Sequence, residues 1–432
     1  MKQTQFLTTV KITDGILLFN SLNGALVKLS YDEYDEMQRF IFNSKEASSV
    51  MPRSGLINEL ISMEMIVDSS RDEFSELEQQ YWDFRNSAEY VKVVIAPTSA
   101  CNFSCIYCFE NGNSSSTMSD NTAHEIVNQI KNKLTTSQSK GLVLIWYGGE
   151  PLMAWNTVQD ITLALYQFCK SLKIQFDSCI VSNGYLLSED VVCRLKEIGC
   201  TTIQITLDGD SASHDTRRPL KNGGTTFQKI YENIILCSDK LRTCVRMNVD
   251  KKNVDSVKLL IDKLSRDQLN NVYLSFARTE PFKNYSEAVC YSREEFAQVE
   301  IELLTYAIMA GMKECVALPE LNFGFCEAVC KHSLLFDPDG DKFFCWENVG
   351  KKELTNCGTC NHSQYIFLKD FFENTYSFFD KKCMNCSILP ICLGGCPQRK
   401  LETGTAQCST LLYNVKDKLA LYYREHFQMR NC

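Results

Sequence analysis

The sequence lacks an excess of positive charge. Its 432 residues carry 45 Lys and Arg against 53 Asp and Glu, which gives a formal net charge of -8 at pH 7. Lys and Arg are scattered along the chain and form no basic stripe, so the chain offers no strong positive field to a polyanion. We therefore expect no nucleic-acid partner.

Long apolar runs are missing as well. No segment approaches the roughly 18 consecutive apolar residues that a membrane helix requires, and the opening MKQTQFLTTVKITDG has no apolar signal-peptide core. We expect no membrane partner and a cytoplasmic location. The hydrophobic content of 44% and charged content of 23% are typical of a globular protein with two or three domains.

Cysteine, by contrast, is abundant, with 22 residues. In a reducing cytosol grouped cysteines more often bind metal or do chemistry than form disulfides. Nine are isolated, and we interpret them as small buried hydrophobic residues: Cys169, Cys179, Cys193, Cys200, Cys237, Cys244, Cys290, Cys315 and Cys432. The other thirteen are grouped and carry the functional hypothesis.

Residues 91 to about 310 alternate apolar β-like runs with helical patterns. Ser119 caps one of these helices, and another runs from Ser188 to Gly199. Six βα units predict an α/β fold, a partial (β/α)6 TIM-type barrel rather than a doubly wound sheet, although periodicity alone leaves the second open. The strand candidates are VKVVIAP, LVLIWYGG, DSCIVSNG, TTIQITLDG, TCVRMNVD and NVYLSFART.

The stretch PTSACNFSCIYCFENG follows the first strand candidate and spaces Cys101, Cys105 and Cys108 as CX3CX2C. In barrels of this kind chemistry lies at the carboxyl ends of the strands. Three thiolates can hold a [4Fe–4S] cluster and leave one of its four irons open for another ligand. The alternatives are a zinc site, which normally needs a fourth Cys or His nearby, and chance grouping.

This spacing resembles that of the radical S-adenosylmethionine (SAM) superfamily. The resemblance implies that the amino and carboxyl groups of SAM chelate the open iron, and that an electron from the cluster cleaves SAM to methionine and a 5′-deoxyadenosyl radical. That radical abstracts a hydrogen atom from the substrate. Further residues match the family: Gly148, Gly149 and Glu150 of YGGEP, Ser182 and Asn183 of SNG, and Tyr107 before the last cysteine.

The resemblance implies a role for each of these residues. The two glycines let backbone approach the cofactor, Glu150 takes its ammonium, the Ser182–Asn183 pair contacts the ribose, and Tyr107 lies near the adenine. Gln204, Asp208 and Arg246, at the ends of the fourth and fifth strands, are expected to contact the cofactor or the substrate. For these three a structural hydrogen bond at the top of the barrel is the alternative.

The carboxyl-terminal cysteines resemble the SPASM pattern, from about residue 322 to 415. The resemblance implies two auxiliary [4Fe–4S] clusters, hence three in all. A pair of zinc ribbons is the alternative, and we interpret Cys357 and Cys360 as a loop pair. The first auxiliary cluster is expected on Cys326, Cys330, Cys345 and Cys396, and the second on Cys383, Cys386, Cys392 and Cys408.

SPASM proteins act on peptides or proteins, and auxiliary clusters can accept the electron that an oxidative bond formation releases. We expect a peptide maturase that crosslinks a ribosomally made precursor, by thioether formation first and by a carbon–carbon or ether link second. Candidate bases are Glu327, Glu347 and Asp208. Sulfatase-maturing relatives carry Asp after the cysteine that corresponds to Cys345, where this chain has Trp346. An iron–sulfur electron carrier without catalysis would not explain YGGEP.

The first 88 residues are predicted to form a small β-meander of TTVKI, GILLFN and ALVKLS, with helices over YDEYDEMQRFIF and SGLINELISMEMIV. This resembles the precursor-recognition domains of peptide maturases, and a winged-helix-like packing domain without a partner is the alternative. We expect it to bind the precursor leader at a strand edge, with Tyr34, Met37 and Ile41 supplying specificity, and we expect its deletion to leave the clusters intact.

The predicted domains are therefore 1–88 for precursor recognition, 89–315 for the radical SAM barrel and 316–432 for the SPASM region. The predicted partners are the precursor peptide and an electron donor such as flavodoxin or ferredoxin.

Overall fold

The computed structural model describes residues 1–46, 54–110, 115–281, 285–321, 326–355, 362–374 and 380–428. Cys357, Cys360 and Cys432 lie outside these ranges, so their interpretation stays a prediction. Among the described helices, none combines the length and the apolar character that a membrane crossing requires.

An antiparallel sheet in the order β2-β3-β4 forms the amino-terminal part, and it confirms the three predicted strands of the meander. A short pair, β1 with β5, was not predicted. The elements in chain order are β1 (Lys2–Gln3), β2 (Leu7–Ile12), β3 (Gly15–Asn20), β4 (Leu26–Leu29), α1 (Tyr31–Glu46), α2 (Gly55–Ser62), β5 (Ile66–Val67) and α3 (Glu73–Asn86).

The second predicted helix, over SGLINELISMEMIV, is shorter than expected. Ser54 caps it through a hydrogen bond from Ile57 N, as the sequence suggests. It ends at Ser62 because Glu64 adopts a left-handed backbone with φ +55°, which reverses the chain. The last residues of the stretch then pair as β5 with β1.

A parallel sheet in the order β11-β10-β9-β8-β7-β6-β12 forms the centre of the molecule. All six predicted strands are present. The elements in chain order are β6 (Tyr90–Ile95), α4 (Asp120–Thr136), β7 (Gly141–Trp146), α5 (Trp155–Leu172), β8 (Gln175–Ser182), α6 (Glu189–Glu197), β9 (Cys200–Thr206), α7 (Ser211–Arg217), α8 (Phe227–Ser238), β10 (Arg242–Val249), α9 (Val254–Asp267), β11 (Val272–Arg278) and α10 (Arg293–Met309).

The strand order distinguishes the two α/β folds that periodicity left open. From β6 to β11 each strand lies beside its predecessor in the chain, whereas a doubly wound sheet reverses its order at a switch point. The fold is therefore the partial (β/α)6 barrel. Side chains alternate along each strand: Ile203, Ile205, Val245 and Met247 are buried in the core with the helices, so the residues between them lie on the opposite, inner face.

The carboxyl-terminal region adds β12, parallel to β6, and a set of short helices. The sequence did not predict this seventh strand, which is only four residues long. The elements are β12 (Ser333–Phe336), α11 (His362–Asn374), α12 (Lys381–Met384), α13 (Leu389–Cys392), α14 (Pro397–Thr403), α15 (Leu411–Tyr423) and a π-helix (Arg424–Gln428), with 3-10 turns at Trp346–Asn348 and Lys352–Leu354.

The amino-terminal sheet packs directly on the carboxyl-terminal region. Leu17 and Phe19 of β3 share a buried cluster with Ile388 and Leu419, and the Ser21 hydroxyl donates to Ser387 O. In a second buried cluster, Phe6 and Leu77 pack with Leu389, and Cys383 and Cys386 contact it. The two ends of the chain thus share cores, which the sequence did not indicate.

Candidate functional site

Cys101, Cys105 and Cys108 lie on the loop that follows β6. Hydrogen bonds from Ser104 N to Pro219 O (2.9 Å) and from Ile106 N to Arg217 O (3.0 Å) fasten this loop. Burial raises the pKa of all three thiols, to about 11 for Cys101. The charge of a neighbouring thiol raises the pKa further, that of Cys105 for Cys101 and that of Cys108 for Cys105. The three thiols are therefore neighbours.

Gly148 and Gly149 bring the end of β7 against this cysteine loop. Gly149 N donates to Thr98 O (3.1 Å). A Cβ on Gly148 would lie 2.6 Å from Thr98 O, and one on Gly149 would lie 2.3 Å from Ala100 O. The glycines are needed for a close approach of backbone, here to the chain's own loop, and their predicted contact with the cofactor stays a prediction.

Glu150 is fully buried and connects the ends of β7 and β8. Its carboxylate accepts from the Ser182 hydroxyl (2.8 Å), Asn183 N (2.7 Å) and Leu152 N (3.0 Å). Asn183 Nδ2 in turn donates to Asn102 Oδ1 (2.8 Å), next to Cys101. The structure thus brings YGGEP, SNG and the cysteine loop together, and the predicted ammonium and ribose contacts stay predictions.

Tyr107 and Asp208 belong to one buried polar network. The Tyr107 hydroxyl donates to the Asp208 carboxylate and accepts from Arg218 Nη1 (2.7 Å) and Asn248 Nδ2 (3.0 Å). Asp208 also accepts from Asn248 N (2.9 Å) and lies 3.4 Å from Arg217 Nε. Because its carboxylate is enclosed by these donors, the structural alternative for Asp208 is favoured over a role as base.

Gln204 and Arg246 lie on the inner face of the barrel. Both alternate with residues buried against the helices, and both side chains are partly exposed. Arg246 Nε donates to Asn248 Oδ1 (3.2 Å), which links it to the Tyr107 network. Their predicted contact with cofactor or substrate stays a prediction.

The eight grouped carboxyl-terminal thiols divide into two neighbourhoods. Burial raises the pKa of Cys345 to about 12, and Cys326 and Cys396 raise it further; Cys330 likewise acts on Cys326. Burial raises the pKa of Cys383 to about 11, with additional increases from Cys392, Cys386 and Cys408. These neighbourhoods have the same members as the two predicted ligand sets.

Residues 95–264 match the family model of the Radical SAM superfamily. The chain is 23% identical to the radical SAM cyclopropyl synthase TigE of Paramaledivibacter caminithermalis, over 91% of this chain and 89% of that protein. It is 27% identical to the serine-type anaerobic sulfatase-maturating enzyme of Bacteroides thetaiotaomicron, over 34% of this chain and 37% of that enzyme. The chain therefore contains a radical SAM domain over residues 95–264. It is thus an enzyme, as the motifs predict.

Two solved structures share the fold of this chain. The anaerobic sulfatase-maturating enzyme anSMEcpe, with bound AdoMet and Kp18Cys peptide, has a TM-score of 0.57 at 16% identity and covers 79% of this chain and 99% of its own. Streptococcus suis SuiB bound to its precursor peptide SuiA has a TM-score of 0.52 at 13% identity, over 95% of this chain and 98% of its own.

The donor set after β6 fits the cluster that the superfamily binds. Three adjoining thiols lie beside the guanidinium of Arg218, whose charge lowers the pKa of Cys105 against the effect of burial and so favours a thiolate. Among the described residues, no three His, Cys, Asp or Glu side chains are arranged to hold a single metal ion. The match to a [4Fe–4S] cluster therefore depends on the donors being three thiols and on their lying on one loop.

The remaining base candidates differ in their surroundings. Glu327 forms an ion pair with Lys92 (2.6 Å) and accepts from Trp346 Nε1 (3.0 Å). Glu347 pairs with Arg399 (2.9 Å), yet burial raises its pKa and outweighs this pairing. Each carboxylate lies beside the first auxiliary thiol set, and the role of either as base stays a prediction.

Sequence reasoning missed Arg218, Asn248 and Glu110. The first two complete the Tyr107 network, and the available signal for Arg218 was the charged run HDTRRP (residues 214–219) after the fourth barrel strand. Burial raises the pKa of Glu110 to about 7, although a hydrogen bond with Tyr147 of YGGEP lowers it in part. Asp215 of the same run accepts hydrogen bonds from Thr226 N (2.7 Å) and Phe227 N (2.8 Å) and so fastens a loop.

Among the isolated cysteines, burial agrees with the interpretation for Cys169, Cys200, Cys237, Cys244 and Cys290. Cys179, Cys193 and Cys315 are instead partly exposed. For these three the interpretation as small buried hydrophobic residues is therefore wrong.

Substituting Gly149 by Ala is expected to reduce 5′-deoxyadenosine formation about 100-fold, because the new Cβ would displace Ala100 and the cysteine loop, and misplacement of about 1 Å can have that effect. Gly55→Ala is the matched control, since its Cβ meets nothing within 4 Å. Chromatography of the reaction with dithionite measures the product. Equal rates for the two variants would contradict the assignment of this loop.

Proposed function

We propose that this radical SAM enzyme is a SPASM peptide maturase that joins two atoms of a ribosomally made precursor peptide with loss of two hydrogen atoms. The observation that carries the proposal is the grouping of eleven thiols into three neighbourhoods, one at the carboxyl end of β6 and two in the carboxyl-terminal region. The full-length similarity to TigE supports it.

In this proposal Cys101, Cys105 and Cys108 hold the SAM-binding cluster, and the two carboxyl-terminal sets hold the auxiliary clusters. When bound, the first cluster and SAM supply the 5′-deoxyadenosyl radical that removes a hydrogen atom from the peptide. The glycine pair, Glu150 and the SNG segment shape the cofactor site. The Tyr107 network holds the ends of β9 and β10 in place around it.

A cavity of about 490 Å³ offers a place for the core peptide. Ala277 and Arg278, at the carboxyl end of β11, form one wall, and Cys392, Cys396 and Cys408 lie on the other. The cavity thus joins the end of the barrel, where radical chemistry occurs in this fold class, to members of both auxiliary thiol sets. Such a path suits an oxidation that delivers an electron to an auxiliary cluster.

The bond formed is proposed to be a thioether from a substrate cysteine to carbon. A second candidate is carbon–carbon bond formation, which the name of TigE as a cyclopropyl synthase favours. Modification of a single residue as in sulfatase maturation is less well supported, because Trp346 follows Cys345 at the position where those enzymes carry Asp.

The test uses reconstituted protein with SAM, dithionite and peptides encoded by short reading frames beside its gene. Mass spectrometry should show a peptide that has lost two hydrogen atoms. Alkylation with iodoacetamide then separates the candidates, since a thioether consumes a thiol and a carbon–carbon bond leaves it free. Cleavage of SAM without any modified peptide would contradict the proposed maturase.

The amino-terminal part is proposed to bind the leader of the precursor at the free edge of β4. Among the described residues β4 pairs only with β3. Asn20 N donates to Ala25 O, and paired residues alternate along an antiparallel ladder, so the backbone N–H of Lys28 points away from β3. A carbonyl oxygen of an added strand could therefore accept a hydrogen bond from this N–H.

The structure bears on two details of this hypothesis. Met37 and Ile41 are buried in the amino-terminal core, so they are not available to select a leader, whereas Asp32 and Asp35 are exposed and favour a basic one. Deletion of the first 85 residues would also uncover Leu389 and the adjoining cysteines. We therefore propose that this deletion would disturb the second thiol set, because the two ends of the chain share a core.

A point substitution avoids that problem. Lys28→Pro removes the outward N–H at an edge position that tolerates proline, and Lys28→Ala is the matched control because it loses the same side chain. We expect Lys28→Pro to weaken leader binding about five- to ten-fold relative to Lys28→Ala, the effect of about one hydrogen bond. Fluorescence anisotropy with labelled leader measures it. Equal affinities would show that this edge does not bind the leader.

A further inference from the structure

A group of lysines beside Cys330 has no ion-pair partner among the described residues. Lys331 and Lys342 are exposed, and Lys133 of α4 is partly buried. The pKa of Lys133 is lowered first by burial and then by Lys331 and Lys342, so the three ammonium groups repel one another. Among the described residues, no carboxylate lies within 4 Å of any of them. This part of the surface is therefore positively charged, although the net charge of the whole chain is -8.

A cavity of about 440 Å³ has Lys331, Lys342 and Cys330 in its wall. Arg85 lies in its wall, 5% exposed, with its guanidinium 4.9 Å from the Trp82 ring and no hydrogen-bond partner for Nη1 among the described residues. Of the acids in the wall, Glu327 is paired with Lys92 at 2.6 Å and Glu373 lies 3.9 Å from Lys369. The lysines and Arg85 therefore keep the surface positive.

We propose that this lysine surface, formed by Lys331 and Lys342 in the cavity wall and by the neighbouring Lys133, docks a small acidic electron-transfer protein. The inference rests on the proposed function, because it takes the Cys330 set to hold an auxiliary cluster. Closing the new bond releases one proton and one electron from the peptide radical, and the docked carrier, a flavodoxin or ferredoxin in its oxidised form, would take up that electron and be reduced by it.

Two physical arguments favour this occupant. Electron-transfer complexes are small and transient, so a few lysines around one cavity suffice, and charge complementarity raises their association rate and makes it depend on salt. A partner docked over the cavity would also lie next to Cys330. The distance between the redox centre of the partner and the cluster proposed on the Cys330 set would then be short. An acidic peptide would match the charge equally well but has no need of a cluster ligand in the wall.

The experiment uses the full-length reconstituted enzyme and a purified acidic flavodoxin as the probe. Lys331→Glu with Lys342→Glu should weaken flavodoxin binding about ten-fold or more at low ionic strength, and the difference should shrink at about 0.3 M salt because exposed charges are screened. Carbodiimide crosslinking should join carboxylates of the flavodoxin to the three lysines of the wild-type enzyme.

The matched control is Lys196→Glu with Lys229→Glu. Both lysines are exposed on outer helices of the barrel and give the same change in net charge, so flavodoxin binding should change little. Lys133→Glu with Lys342→Glu is a second variant that leaves the neighbour of Cys330 untouched. Iron analysis of each variant establishes that the clusters are retained.

The outcomes separate the two proposals. Unmodified peptide from the wild-type enzyme with dithionite would overturn the proposed function, whatever the flavodoxin does. Normal peptide modification and iron content, combined with unchanged flavodoxin affinity in both lysine variants or crosslinks that map elsewhere, would overturn the docking surface. Loss of precursor binding with unchanged flavodoxin binding would assign the surface to an acidic peptide and likewise overturn it.

Discussion

Replacing Cys101, Cys105 and Cys108 together by Ala is expected to abolish 5′-deoxyadenosine formation. The three thiols are the donors of the loop after β6, and without them the cluster that reduces SAM has no ligands. Iron should fall from about twelve to about eight atoms per chain if three [4Fe–4S] clusters are bound. Electron paramagnetic resonance of the reduced protein should retain the auxiliary signals.

Cys193→Ala is the control for this experiment. Cys193 is an isolated, partly exposed residue of α6, so its substitution should change neither iron content nor the rate of SAM cleavage. Undiminished 5′-deoxyadenosine formation in the triple variant would rule out this loop as the cofactor site. A triple variant without any iron would instead show that the three neighbourhoods do not assemble independently.

The double substitution Cys383→Ala with Cys386→Ala is expected to stop peptide modification while SAM is still cleaved slowly. Removing two of four thiols should release the second auxiliary cluster, which the proposed reaction needs only after hydrogen abstraction. About eight iron atoms per chain should remain. A variant that lacks this cluster but modifies peptide at the normal rate would show that the cluster has no part in turnover.

Packing is the confounding factor, because Cys383 and Cys386 contact the buried cluster that contains Phe6, Leu77 and Leu389. Leu389→Ala provides the matched control. It opens a cavity in the same core, at about 2–5 kcal/mol, but removes no thiol. Retained iron and peptide modification in Leu389→Ala, with both lost in the double variant, would assign the effect to the cluster.

The barrel strands themselves could be predicted from the sequence because each is a local apolar run bounded by turns. The caps at Ser119 and Ser188 are equally local, since each side chain accepts from a backbone N–H three residues on. β12 escaped prediction for the opposite reason. Its four residues carry no periodic signal, and only pairing with β6, over two hundred residues earlier in the chain, makes them a strand.

The candidate site divides in the same way. Cys101, Cys105 and Cys108 could be predicted because ligand spacing within one loop is a property of the sequence. The contacts of Asp208 could not, because they bring together the cysteine loop, the end of α7 and β10. Nothing local to Asp208 shows that its carboxylate is enclosed by donors.

By itself, the sequence determined the barrel strands, the cysteine spacing and the glycine pair, since each depends on neighbours within a few residues. Only the tertiary structure decided that the amino-terminal sheet covers the second thiol set, that Met37 and Ile41 face inward, and that Lys133 joins Lys331 and Lys342 at one surface. These features arise from burial and charge between distant segments, whose free energies depend on which surfaces meet when the chain folds.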